Sequence, residues 1–245
     1  MPTVLVTAVI QARLSSTRLP GKVLRPLGGR SVLGWVVRAA SVAPGVDRVV
    51  VATSVDRSDD PIATEALQLG VPIVRGSLDD VLDRFGEVVR RYPCDAVVRL
   101  TADCPLIDPA LLAQVVALWR ADPTLDYVSN TLVRTLPRGL DVALVRRAVL
   151  DEQVAYATGV DRVHVTSGIY TDPGRYRCAG VVVRPDAADL RVTLDTAEDA
   201  ALLDGLVTEL GDRPPAWREV VAVLRARPDL VARNAAVEQK PVAAG

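Results

Sequence analysis

Over its first 130 residues the chain alternates short β-branched apolar runs with stretches of helical period. Residues 4–10, VLVTAVI, form a near-continuous apolar run, the pattern of a strand buried on both faces. A polar loop over 11–21 follows, and Ser31 is placed to cap a helix over 32–40. Further strands are expected at 47–52, 71–74, 95–101 and 126–129. Helices are expected from Asp59 and Asp60 to Leu69, over 78–91, and from Asp108-Pro109 to about Arg120. From 131 to 176 the pattern loses regularity, with one helix near 146–156. This stretch reads as a small insertion, a lid or a dimer contact. Residues 176–183 and 189–194 read as strands that rejoin the sheet, and 196–210 and 216–226 as closing helices.

Alternating strands and helices predict an α/β fold, a Rossmann-like and mostly parallel sheet sandwiched by helices. Right-handed crossovers then bring all strand C-terminal ends to one edge, where ligands bind in open sheets. No internal repeat or linker marks a second domain, so one domain is expected over 1–230. The small, polar segment 234–245 is expected to be a disordered tail.

The chain has 245 residues, 49% hydrophobic and 24% charged, as in a soluble globular domain. A formal net charge of −1 gives no bulk pull toward nucleic acid or an acidic membrane, and 4% aromatics argues against a base-stacking platform. No apolar run is long enough to span a bilayer, and the N-terminus lacks the features of a signal peptide. Cys94, Cys104 and Cys178 are odd in number and widely spaced, which suits reduced thiols in a cytoplasmic protein. Nearly all basic residues are Arg; Lys22 and Lys240 are the only lysines. A lysine inside a basic loop then suggests a need for a compact ammonium.

That loop reads QARLSSTRLPGK and carries Arg13, Ser15, Arg18 and Lys22 just past the first strand, where doubly wound folds hold phosphate. Neither a GxGxxG nor a P-loop pattern is present, so phosphate would be held by side chains: guanidinium forks and one ammonium. A solvated basic loop is the plainer alternative. Asp103, in RLTADCPLID, and Asp195, in VTLDTAEDA, each follow a predicted strand on the same edge. Each alone could be a turn or cap residue; together they could hold Mg²⁺ with phosphate oxygens. Glu198 and Asp199 suit the first turn of a helix. His164 is the only histidine; such a residue serves structure more often than chemistry, although Asp161 and Arg162 beside it keep a substrate role open. Arg75 and Arg84 flank the turn at 76–80, where one could reach a base or a phosphate, or either could form a surface ion pair.

In order, QARLSSTRLPGKVL, VVVATS, RLTADCPLID, PRGLDV, DRVHVT and VTLDTAEDA closely resemble the cytidylyltransferase family over about 4–210. That family includes the CMP-sialate and CMP-Kdo synthetases, and the nearest branch is the spore-coat polysaccharide biosynthesis protein F type. The resemblance implies a nucleotidyltransferase of the cytoplasm that uses CTP and Mg²⁺, is commonly homodimeric, and serves polysaccharide or secondary-metabolite biosynthesis. From charge and composition, no nucleic-acid or membrane partner is expected. The reaction would be transfer of CMP to an acidic sugar, a sugar phosphate or a phosphonate. By position, Arg13 and Lys22 would bind the triphosphate with Ser15 and Arg18 nearby, and Asp103 and Asp195 would bind Mg²⁺. Ala52, Thr53 and Ser54, with Arg75, would line the base pocket. Asp141 and His164 would lie near the acceptor. Two positions depart from the family pattern, both on the acceptor side: Val163 and Ala143 stand where glutamate is usual. A nucleotide-sugar glycosyltransferase is a rival reading, weakened because no Asp-x-Asp occurs. A nucleotide-binding protein without turnover is another.

Overall fold

The computed structural model describes residues 4–172 and 174–239. The first strand, β1 (Val6–Gln11), sends Val6, Ala8 and Ile10 into one apolar cluster and Val9 into another, so the sheet is buried on both faces as its apolar run predicts. A short antiparallel pair, β2 (Pro26–Leu27) and β3 (Arg30–Ser31), leads into α1 (Val32–Ser41). Ser31 caps α1 by accepting the Gly34 N–H at 2.9 Å. Next come β4 (Arg48–Ser54), α2 (Asp60–Gln68), β5 (Ile73–Gly76), α3 (Val81–Arg91), β6 (Ala96–Thr101), α4 (Pro109–Ala121) and β7 (Tyr127–Ser129). Asp108 caps α4 with one carboxylate oxygen and accepts the Trp217 N–H with the other, at 2.7 and 2.8 Å.

The second half runs β8 (Ala143–Arg146), α5 (Arg147–Tyr156), α6 (Val160–His164), α7 (Ser167–Tyr170), β9 (Cys178–Gly180), α8 (Ala197–Leu210), α9 (Trp217–Ala226) and α10 (Pro228–Asn234). The seven-stranded sheet has the order β5-β4-β1-β6-β8-β7-β9. Only β8 runs antiparallel to its neighbours. Among the described residues no helix is long and apolar enough to cross a membrane.

Three expectations differ from this structure. The stretch 131–176 supplies β8, an interior strand of the sheet between β6 and β7. Four residues running straight into α5 carry no turn signal to separate strand from helix. Residues 189–194 form no ladder strand. Their extended backbone bonds instead to loops, at Arg138 and Asp103, and still buries Leu190, Val192 and Leu194. An alternating pattern records which face is buried, not what the backbone pairs with. The tail expected to be disordered from 234 begins with a buried residue: Asn234 ends α10, and its amide donates to Asp199 at 2.8 Å. Residues 240–245, Lys240 among them, lie outside the described residues.

The strand order reverses beside β1: β4 and β5 lie on one side, and β6 returns on the other. Gln11 and Thr101 end β1 and β6 in parallel register. Arg13 and Asp103 therefore emerge side by side from the crevice where open α/β sheets take ligands.

Candidate active site

The loop after β1 is closed on itself. The Leu14 carbonyl accepts from Ser16 N–H at 2.7 Å and Gly21 N–H at 3.1 Å, while Leu14 N–H donates to buried Asp59 at 2.7 Å. Gly21, at φ 73°, reverses the backbone in the left-handed region and starts a single 3₁₀ turn at Lys22. That reversal turns Lys22 inward, where it is 9% exposed.

All three ammonium donors of Lys22 are used. They go to Asp103 Oδ2 at 2.6 Å, Asp195 Oδ1 at 2.7 Å and the Leu194 carbonyl at 2.8 Å. Burial alone pushes the Lys22 pKa down, but the two carboxylates outweigh it and hold it above the ordinary value. For Asp195 burial pushes upward; Lys22, Arg191 and Arg18 more than offset it, and the carboxyl lies below its ordinary range. Asp195 Oδ2 pairs with Arg191 at 2.7 Å and Arg18 at 3.0 Å.

Backbone bonds bring the two aspartates together. Leu194 N–H donates to the Asp103 carbonyl at 2.8 Å, and the Thr193 hydroxyl bonds the same carbonyl at 3.3 Å. Asp199 supports Asp195 from behind. Fully buried, it accepts the Asp195 N–H at 2.8 Å, Arg191 Nε at 2.9 Å and the Asn234 amide. In the sequence Asp199 looks like a first-turn acid alone; it is also half of a capping box with Thr196.

A cavity of about 460 Å³ opens over this cluster. Of the residues singled out from the sequence, Arg13, Ser15, Arg18, Lys22, Asp103, Asp141, His164 and Asp195 line it. Asp141 is held by a bidentate pair with Arg134, at 2.7 and 3.0 Å. Near the described end of the chain, the Glu238 carbonyl accepts from Arg18 at 3.2 Å and the Gln239 side chain from Arg191 at 2.8 Å.

Ala52, Thr53, Ser54 and Arg75 do not line the cavity. The first three are fully buried in β4. The Ala52 carbonyl takes the Ala12 N–H, and the Ser54 hydroxyl donates to Asp59. Arg75 folds back over the β4–α2 turn, bonding the Ser54 and Asp56 carbonyls and pairing with Asp60 at 2.7 Å. Arg84, its partner across the turn, is the one that reaches the cavity, together with Arg99 and Arg138. A sequence signal for Arg84 exists: it shares the buried face of α3 with Val81, Phe85 and Val88, an unusual place for a guanidinium.

Asp103 and Asp195 are hard oxygen donors that already converge on one positive centre, so the pair suits a divalent cation. Among the described residues no group of three or more His, Cys, Asp or Glu side chains could hold a metal ion, so substrate oxygens would have to complete its shell.

A sheet of this order, with a lysine–aspartate cluster at its switch point, has the layout in which open α/β folds hold a ligand. The cytidylyltransferase family profile matches residues 7–165. The chain is 34% identical to the spore coat polysaccharide biosynthesis protein SpsF of Bacillus subtilis over 230 residues, covering 90% of this chain and 94% of that protein. It is 42% identical to the 3-deoxy-manno-octulosonate cytidylyltransferase of Maricaulis maris over 132 residues, 52% of this chain and 49% of that one. The solved cytidylyltransferase of Leptospira borgpetersenii superposes with a TM-score of 0.90 at 28% identity, covering 94% of this chain and 97% of that one. The chain belongs to the cytidylyltransferase family.

Proposed function

We propose that the chain transfers CMP from CTP to an acidic sugar, a sugar phosphate or a phosphonate and releases pyrophosphate, with Mg²⁺ as cofactor. The observation that carries this reading is the single ammonium of Lys22 shared between Asp103 and Asp195 at the switch point.

In this reading an acceptor oxygen attacks the α-phosphorus in line. The new bond is acceptor oxygen to phosphorus, and the bond that breaks is from the α-phosphorus to the α–β bridging oxygen, which leaves with pyrophosphate. Little covalent chemistry falls to the protein; positioning and charge neutralisation carry the rate. Arg13 and Arg18 bind phosphate oxygens, Lys22 joins them by exchanging aspartate contacts for phosphate ones, and Ser15 contributes a hydroxyl. Asp103 and Asp195 would hold the cation, which when bound supplies Lewis-acid charge to the phosphates. Arg191 and Asp199 keep Asp195 in place. Asp141 and His164, on the cavity wall, face the acceptor.

The relatives support the acceptor class: one is named for 3-deoxy-manno-octulosonate, a sugar acid, and another for polysaccharide biosynthesis. Three free cysteines accord with a cytoplasmic enzyme. The homodimer that the family resemblance implies would be tested by sedimentation.

The deciding experiment is pyrophosphate release from each of the four ribonucleoside triphosphates, with sugar acids, sugar phosphates and phosphonates as acceptors and with Mg²⁺ or EDTA. Release from CTP alone, dependent on Mg²⁺ and on an acidic acceptor, is expected. Turnover that is indifferent to EDTA would overturn the metal assignment, and preference for another triphosphate would overturn the choice of nucleotide.

A further inference from the structure

Arg84 is 1% exposed, and among the described residues its Nε and Nη1 have no hydrogen-bond partner. Its stem lies on Gly76, where an added Cβ would come within 2.9 Å of Arg84 Cγ, so the side chain is seated in a fitted groove. Two carboxylates are near enough to attract it, Asp59 and Asp80, yet both are committed elsewhere. Asp59 takes the Leu14 N–H and the Ser54 hydroxyl, and Asp80 takes the Asp83 N–H and Arg162. Arg13 adds repulsion. A buried guanidinium left this way is expensive unless something else supplies acceptors.

The cavity that Arg84 lines shows what is missing. Its wall carries six cations, Arg13, Arg18, Lys22, Arg84, Arg99 and Arg138, against three carboxylates. Each of those carboxylates already serves a cation: Asp103 and Asp195 serve Lys22, and Asp141 serves Arg134. Among the described residues of the cavity wall no uncommitted carboxylate remains for Arg84. Two further placements concern the same wall. Val163, on α6, lines the cavity. Ala143 lies directly across the antiparallel ladder from Arg99, and so on the same sheet face. These are the two positions that depart from the glutamate usual in the resembling family. With Val and Ala there, neither side chain can neutralise a neighbouring guanidinium.

We propose that Arg84, assisted by Arg99, recognises the acidic group of the acceptor, a carboxylate, phosphate or phosphonate, and is the residue that makes the enzyme select an anionic acceptor. Arg84 acts by binding and orienting the acceptor, apart from the Lys22 cluster that meets the triphosphate. The assignment rests on the cytidylyltransferase reading for what the acceptor is, though not for the presence of an anion site.

The test titrates inorganic phosphate, as the anion probe, into protein saturated with Mg²⁺ and a non-hydrolysable CTP analogue. Wild type, Arg84→Gln, Arg84→Lys and Val163→Glu are compared by calorimetry. Wild type should bind phosphate; Arg84→Gln and Val163→Glu should each weaken that binding about tenfold or more, the loss expected for one charge-assisted contact. Arg84→Lys should recover part of it. Affinity for the CTP analogue should stay within about threefold in all four. The thermal midpoint of Arg84→Gln should equal or exceed that of wild type, because an unpaired buried charge has been removed. Equal phosphate binding in wild type and Arg84→Gln, or none in wild type, overturns the proposal. So does a loss of nucleotide affinity in Arg84→Gln that matches the phosphate loss. If wild type binds no CTP analogue, the functional reading falls instead. Phosphate titrated onto the nucleotide-free wild type and Arg84→Gln then decides the anion site: a difference supports it and equality rejects it.

Discussion

The Lys22 ammonium donates to Asp103 Oδ2 at 2.6 Å, across 81 residues of chain. That contact joins the loop after β1 to the loop after β6, the two strands that border the switch point. It makes Lys22 part of the fold as well as of the site, with consequences for stability and rate together.

Lys22→Ala should therefore destabilise the protein by about 3 kcal/mol. This is the low end for breaking a buried ion pair, since both carboxylates keep some exposure. Turnover of CTP should fall with it. Mg²⁺ without nucleotide should raise the thermal midpoint of Lys22→Ala by more than that of wild type, because the variant offers the two aspartates with no internal cation. An equal response in both proteins would remove the divalent ion from this pair.

Asp103→Asn behaves differently. Lys22 keeps Asp195 and the Leu194 carbonyl as partners, so the midpoint should move less than for Lys22→Ala. The kcat for pyrophosphate release should drop by about 10²–10³-fold, the usual loss for one electrostatic stabiliser. Near-normal turnover would exclude Asp103 from the site.

Gly139 has φ 104°, and a Cβ there would lie 2.5 Å from Thr193 N and 2.6 Å from the Val192 carbonyl carbon. Those atoms belong to backbone two and three residues ahead of Asp195, so they cannot yield without moving the site. Gly139→Ala should lose about 3 kcal/mol in urea unfolding. Unchanged stability would show that the approach of Gly139 to Val192 and Thr193 is not tight in solution.

Glu219 gives a pH signature remote from the site. Its pKa is lowered to about 2, first by the Arg213 pair and then by the Ala216 N–H that it caps at the start of α9. A carboxyl lowered on folding adds stability that is fully present above its ordinary value of 4.5 and is lost as pH falls toward about 2. Glu219→Gln should have a lower thermal midpoint than wild type at neutral pH, and the gap should close between pH 4.5 and 2. A gap independent of pH would mean that the charge contributes nothing.

Most of the parallel half was legible in order. Residues 4–10 announce β1 because a strand covered on both faces admits few polar side chains, and Ser31 and Asp108 announce their helices by their own oxygens. Asp103 was legible because it stands just past β6 on the edge that a parallel sheet sets aside for ligands, Lys22 because it belongs to the basic loop after β1, and Asp195 because it follows a segment that alternates like a strand although it joins no ladder. The other half was less so. β8 borrows its partners from β6 and β7, and a four-residue strand has no periodicity of its own. Asn234 and Gln239 are ordered through Asp199 and Arg191, contacts that no local composition records.

Local pattern thus determined most strands and helices of the parallel half, the edge where their C-terminal ends meet and which charged residues stand on that edge. Tertiary structure decided what those charges do. It tied Arg75 to the β4–α2 turn and left Arg84 buried at the cavity. The reason is physical: an arginine's role depends on whether a carboxylate or carbonyl comes within about 3 Å of its guanidinium, and that is fixed by chain segments distant in sequence.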